Sequence, residues 1–212
     1  MISNSEHKYG FTFTAASLRP ELLAIVGERY LRTGSWEETK KAILASNELQ
    51  CRTASSGVRL ERELRQRLQT LNDSQIQLLV ESGSDVRNSS AWLAAVKQSL
   101  FLFDFAADVL REKVERHDNV LRESDYRRFI NEKTALHPEI LDLTESTSGK
   151  VRRVLLTMLR EASILEKGEE MGLIRRPVIP MSVEDSIRKD NPAWLAAFLV
   201  PEGEIQTQSQ FS

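Results

Sequence analysis

The chain contains a single cysteine, Cys51, so no intrachain disulfide can form, and one thiol suits a reducing compartment. Nine glycines, six prolines and an aromatic share of 7% exclude collagen-like, low-complexity and fibrous architectures. A net charge of −2 gives no overall surplus that would decide for or against nucleic acid. The three histidines, His7, His117 and His137, fall in an N-terminal arm, a linker and a turn before proline. None has the H-x-x-x-H or HExxH spacing of metal ligands, so no metal is expected. G-x-S-x-G, P-loop and GxGxxG strings are missing, and no nucleophile–base pair can be proposed from spacing. The expectation is a protein that is not an enzyme and holds no cofactor. Met1–Tyr9 lacks an apolar stretch and is not expected to act as a secretory signal.

One long apolar run is present, Trp92 to Leu110, but it carries Lys97, Asp104 and Asp108. A charge near the centre of a membrane helix costs roughly 2.5–3.5 kcal/mol, and three outweigh the gain from the leucines and phenylalanines. The run reads as a buried core helix. The rest of the composition, 41% hydrophobic and 28% charged with Leu, Glu, Arg and Ala dominant, is that of a helical globular protein. Its length allows one large helical domain or two small ones.

Apolar spacing predicts a helix opened by Pro20 and running to Arg32, closed by Thr33-Gly34. Ser35 with Glu38 has the form of a capping box for a second helix reaching Asn47. A third, Thr53 to Leu71, puts Leu60, Leu64, Leu68 and Leu71 on one stripe. Asn72-Asp73 caps a short fourth. A polar loop over Gly83–Ser90 and a cap at Ser89 or Ser90 lead into a long fifth helix, Ala91 to Glu115. The charged segment Arg116–Glu123 is the expected domain boundary, giving an N-terminal helical domain over 1–118 and a C-terminal one over 119–200. A flexible tail over 201–212 completes the division.

The C-terminal half has an informative order. Ser124–Leu136 reads as a helix, Pro138 opens a short turn, and Thr147 or Ser148 caps a helix reaching Ala162. Two short strands around a glycine-containing turn fit Ser163–Pro180. Helix, turn, helix and hairpin outline a winged helix, whose last helix can enter the DNA major groove.

Basic charge is gathered in two blocks. Arg52–Arg67 holds five arginines against Glu61 and Glu63; Thr147–Arg176 holds seven basic residues against four acids. In the second block Val151, Val154, Leu155, Met158, Leu159 and Ala162 form one helix face, and Lys150, Arg153, Thr157 and Arg160 share the opposite one. A phosphate would suit the free amides beside Thr147 and Ser148, with Arg175 and Arg176 on the hairpin reaching a neighbouring phosphate. The competing reading is an ordinary solvated helix face. In the first block Glu61–Arg65 and Glu63–Arg67 have the spacing of exposed helix pairs; Arg52 and Arg59 lie outside these pairs and are the supplementary binding candidates. Asp104 and Asp108 invite an acid–base reading, but Arg111 stands three residues after Asp108, no second helix offers a matching carboxylate pair or histidine, and salt-bridge partnership is expected.

The aromatic arm Tyr9–Thr14 with Ser17-Leu18, Asn47-Glu48-Leu49 before Arg52, and Arg59 with Leu64 and Arg67-Leu68 form a distinctive series. It continues through Leu100, Leu102, Asp104, Phe105, Asp125, Phe129, Pro138-Glu139-Ile140 and Ser146-Thr147 before Lys150, then Leu159, Glu161-Ala162, Ile164-Leu165 and Ile179-Pro180. Over roughly Tyr9–Leu199 this series resembles the BrxA family, the small A proteins of bacterial bacteriophage exclusion (BREX) defence systems. The resemblance implies a cytoplasmic, non-enzymatic component of a phage-resistance system, associated with double-stranded DNA and with a NusB-like helical core. It supplies no residue-level site. The combined expectation is a predominantly all-α multi-helix bundle with a NusB-like core and a winged-helix-like C-terminal half carrying a short β-hairpin. Function is expected to be duplex binding mainly through phosphates, by Lys150, Arg152, Arg153, Arg160, Thr147, Ser148, Arg175 and Arg176, with Arg52 and Arg59 in support. Other phage-defence proteins are expected as partners, with no membrane and no small-molecule substrate. Two alternatives stand beside this: an adaptor that docks partners through Tyr9, Phe11 and Phe13, and a NusB-like RNA-binding protein.

Overall fold

The computed structural model of the protein describes residues 8–207; His7 and the last five residues lie outside them. The N-terminal half is a helical bundle: α1 (Pro20–Thr33), α2 (Trp36–Ala45), α3 (Ala54–Leu68), α4 (Asp73–Glu81) and α5 (Ser84–Gln98). Helix α1 is central, packing against α2, α3, α4 and α5. It begins at Pro20, whose fixed φ suits the first helical position, and ends on Gly34, which takes the left-handed conformation (φ 64°) that glycine tolerates without penalty. Its inner face is Leu23, Val26 and Gly27; a methyl added at Gly27 would meet Val80 Cγ2 at 3.0 Å, so glycine here permits close approach of α4.

The fifth helix differs from the sequence-based expectation at both ends. Gly83–Ser90 is not a loop: α5 starts at Ser84 with Gly83 as its cap. Asn88, Ser89 and Ser90 have weak helix propensity, but Ser90 to Val96 are buried, and packing overrides that preference. The long run then breaks at Ser99, which is extended (φ −124°, ψ 105°) and donates its hydroxyl to the Gly10 carbonyl. After the break, α6 (Leu100–Asp104) passes directly into a π-helical stretch, Phe105–Arg111, and into α7 (Glu112–Glu115). No helix among the described residues is long and apolar enough to cross a membrane.

The charged segment expected as a bare linker contains a strand, β1 (Val120–Leu121). Helix α8 (Glu123–Thr134), a 3₁₀ turn (Pro138–Ile140) and α9 (Glu145–Glu161) follow, and then β2 (Leu165–Glu166) and β3 (Gly172–Ile174). The sheet is antiparallel in the order β1-β3-β2, with Val120 opposite Leu173 and Leu165 opposite Ile174. Helix, strand, helix, helix and a hairpin that pairs back onto the first strand is winged-helix topology. Gly172 is required there: its φ is 139°, and a side chain would meet the Glu166 carbonyl.

Helix α10 (Met181–Asp190) and a 3₁₀ helix (Pro192–Phe198) return to the N-terminal bundle, packing on α4, α5 and the π-helical stretch. Trp92 Nε1 donates to the Ala197 carbonyl at 3.0 Å, and Lys97 pairs with Asp190 at 2.9 Å. The buried apolar residues, from Tyr9 to Ile205, form one continuous core. Part of the expected loose tail is α11 (Glu202–Thr207), held by buried Ile205 and by ion pairs of Glu202 with Arg111 and Glu204 with Arg176.

The aromatic arm is consumed by this core. Tyr9 and Phe13 are buried, Phe11 is half-buried, and Phe101 stacks on Phe13 and meets Tyr9 and Phe11 edge-on. The adaptor reading therefore loses its cue. The Glu63–Arg67 pair, expected at the surface, is likewise buried. Arg67 shares a stripe with Leu64 and Leu71 at 3- and 4-residue spacing, so it points inward and donates to the carbonyls of Phe13, Ala16, Ser17 and Leu18.

Candidate nucleic-acid interface

Helix α9 forms because Val151, Leu155, Met158 and Leu159 can be buried together while polar residues occupy the other side. It starts earlier than the sequence suggests. Thr144 is the cap, its Oγ1 accepting from the Thr147 amide at 3.3 Å, so Thr147 and Ser148 lie inside the first turn. The Ser148 amide already donates to the Thr144 carbonyl. Glu145 also places a carboxylate in that first turn, where it meets the positive end of the helix dipole. The phosphate seat expected at Thr147 and Ser148 is thus largely occupied by the chain itself; Ser148 stays exposed and can still donate its hydroxyl.

The cations of the second block divide into two groups. Lys150 and Arg153 are exposed, and no ion pair holds either side chain among the described residues. Arg160, also exposed, donates to the Met171 carbonyl at 3.3 Å and ties α9 to the hairpin. Arg152, Arg175 and Arg176 are engaged: Arg152 with Glu123 at 2.6 Å, Arg175 with Glu166 at 3.1 Å, and Arg176 with Glu204 at 2.6 Å. Each of these pairs is at least one-third exposed on both sides. Pairs of this kind contribute about 0–1 kcal/mol, so a phosphate can displace the glutamate at little cost. The hairpin turn carries Glu169 and Glu170 beside Lys167, which makes it a poorer phosphate contact than the helix.

Between α8 and α9 lies a cleft of about 710 Å³ lined by Tyr126, Arg127, Asn131, Ser148, Gly149 and Arg152. The Tyr126 hydroxyl is buried there without a hydrogen-bond partner among the described residues. Burial pushes its pKa up to about 12, against the opposing influence of Arg152.

In the first block, Arg65 pairs with Glu61 at 2.7 Å and Arg67 is buried. Arg52 and Arg59 are exposed, as is Arg62, and none has an ion pair among the described residues. Glu63 stands four residues after Arg59 but is turned inward onto Arg67.

The Asp104–Asp108 pair is structural, as a salt-bridge site, but its partner is Lys133 from α8 and not Arg111, which pairs with Glu202. Lys133 Nζ lies 2.9 Å from Asp104 and 2.8 Å from Asp108, and the Tyr9 hydroxyl donates to Asp104 at 2.5 Å. Burial and then Asp104 push the Tyr9 pKa upward. His137 stacks on the Tyr9 ring at 3.6 Å, with Nδ1 3.2 Å from Glu139, while His117 sits by its own helix end at the Val114 carbonyl. Among the described residues no three His, Cys, Asp or Glu side chains gather in a way that could hold a metal ion.

A helical bundle joined to a winged-helix unit whose last helix carries exposed cations without ion-pair partners among the described residues defines a class of candidate nucleic-acid-binding proteins. Comparison with known proteins gives the family. The BrxA family model matches residues 7–191, and the chain belongs to that family. It is 24% identical over 149 residues to a protein of Escherichia coli O9:H4 (strain HS) named BREX protein BrxA, covering 70% of each chain. A Bacillus cereus (strain H3081.97) protein of the same name is 25% identical over 154 residues, covering 71% of this chain and 76% of the relative. In fold, the chain is similar to the crystal structure of an uncharacterized protein from Magnetospirillum magneticum, with a TM-score of 0.77 and 19% identity over 91% of this chain and 98% of the other.

Proposed function

We propose that the protein is a DNA-binding, non-catalytic component of a BREX phage-defence system, acting in the cytoplasm beside other proteins of that system. It grips duplex DNA mainly by its phosphates. The observation that carries this reading is the pair Lys150 and Arg153: exposed, without an ion pair among the described residues, and on the outer face of the last helix of a winged-helix unit. Arg160 and Arg152 extend that face, and Arg175 and Arg176 exchange their glutamates for phosphates on binding. Thr147 and Ser148 contribute hydroxyls at most, since the helix terminus is capped by Thr144. With no Asn or Gln on α9, this face positions the duplex and does not read adenine.

The test is fluorescence anisotropy of a labelled duplex titrated with the protein. Saturable binding that weakens by orders of magnitude between about 50 and about 200 mM salt supports the reading. A folded protein that leaves the duplex unbound at the lower salt overturns it. RNA of equal length, added as competitor, decides between the two nucleic acids: displacement by RNA in preference to DNA assigns the face to RNA.

A further inference from the structure

Helix α3 has an exposed, acid-free stripe that, unlike the face of α9, also carries amide side chains. Ser55, Arg59, Arg62, Gln66 and Gln69 follow one another at spacings of 4, 3, 4 and 3, so they share one side, and all are exposed. No acid lies on the stripe. The exposed faces of α1 and α2 mix signs, Glu28 with Arg32 and Glu37 with Lys41, as do the partly buried pairs Glu123 with Arg127 on α8 and Glu184 with Arg188 on α10. The acids of α3 itself, Glu61 and Glu63, are turned inward onto Arg65 and Arg67. That leaves Arg59, Arg62, Gln66 and Gln69 with side chains that no protein group holds among the described residues. The N-terminal turn of α3 contains no acid, and Arg52 stands exposed just before it.

We infer that α3 is the element that reads DNA sequence, by lying in a major groove while α9 holds the backbone. This rests on the duplex-binding reading above and goes beyond it. The major groove admits an α-helix, and the two side-chain types on the stripe match base edges: arginine donates two bonds to guanine O6 and N7, and glutamine pairs bidentately with adenine N6 and N7. The stripe from Ser55 to Gln69 runs roughly 20 Å, the rise of about six base pairs. An acid-free face enters the groove without phosphate repulsion, and Arg52 reaches the flanking phosphate. Helix α9 offers Lys150, Arg153 and Arg160 but no amide side chain, so the two helices divide reading and holding between them.

The experiment is selection of bound duplexes from a randomised pool, followed by sequencing, with the full chain and with R59A/R62A, Q66A and K150A/R153A. All five positions are exposed, and unchanged thermal melting establishes that the variants fold. The wild type should enrich a short motif containing guanine and adenine. R59A/R62A should flatten preference at the guanines and Q66A at the adenine, by on the order of tenfold per base. K150A/R153A should weaken all sequences alike and keep the motif. Binding without enrichment, or a motif that survives both α3 variants, overturns the inference and leaves the α9 reading intact. Failure of the wild type to bind any duplex overturns both.

Discussion

Helices α3 and α9 are both arginine-rich and amphipathic, yet their cations have different fates. In α3, Arg65 and Arg67 each find a glutamate four residues earlier, and Arg67 is drawn fully inside to hold the Phe13–Leu18 segment by its carbonyls. In α9 no acid stands three or four residues from Lys150 or Arg153, and both face water without an ion pair among the described residues. Whether an arginine serves the fold or a ligand is thus decided by the acids and carbonyls within its reach, and a count of basic residues says little. Arg59 and Arg62 show this within one helix: they are separated from buried Arg67 by only a turn or two, and the inward turn of Glu63 leaves Arg59 without an ion pair among the described residues.

The contrast predicts a large stability difference. Arg67→Ala leaves Glu63 uncompensated and four carbonyls without their donor, and should cost about 3–5 kcal/mol in urea unfolding. Arg59→Ala, at the surface of the same helix, should stay within about 0.5 kcal/mol. Comparable values for the two would mean that Arg67 does not hold the arm.

Two buried tyrosines sharpen the comparison on a smaller scale. The Tyr9 hydroxyl donates to the buried carboxylate of Asp104, so Tyr9→Phe should destabilise by about 1.5–3 kcal/mol. The Tyr126 hydroxyl has no hydrogen-bond partner among the described residues, so Tyr126→Phe should be neutral or stabilising by up to about 1 kcal/mol at neutral pH. Burial raises the pKa of Tyr126 to about 12, from 10.0 in the unfolded chain. Between those values the unfolded chain gives up its proton first, so stability should be constant below about pH 10 and fall as pH rises toward about 12. In Tyr126→Phe that loss should be smaller. An unchanged alkaline profile would mean that Tyr126 does not contribute to it.

The sequence made some of this legible. Helix α9 could be found because its apolar residues keep a helical period over many turns, and the hairpin because short apolar pairs flank a glycine-containing turn. Strand β1 could not: it is two residues long, lies in a charged segment, and pairs with Leu173 and Gly172 some fifty residues later. The start of α5 was hidden because Asn88, Ser89 and Ser90 look like a cap, while the packing that keeps the segment helical comes from the buried run Ser90–Val96 that follows. Burial of Arg67 was readable in principle from its place on the Leu64–Leu71 stripe, but an i,i+4 Glu–Arg pair has the same pattern inside and outside. Of the site, the choice of Lys150 and Arg153 followed from spacing alone. The engagement of Arg152, Arg175 and Arg176 did not, because Glu123, Glu166 and Glu204 reach them across the fold.

The most direct test of the duplex-holding role of α9 is the slope of log affinity against log salt for the wild type and for K150A/R153A. Each phosphate neutralised contributes about 0.9 to that slope. Loss of two contacts should therefore flatten it by about 2, with folding unchanged. An identical slope for the two proteins would contradict the account, because it would place Lys150 and Arg153 off the DNA.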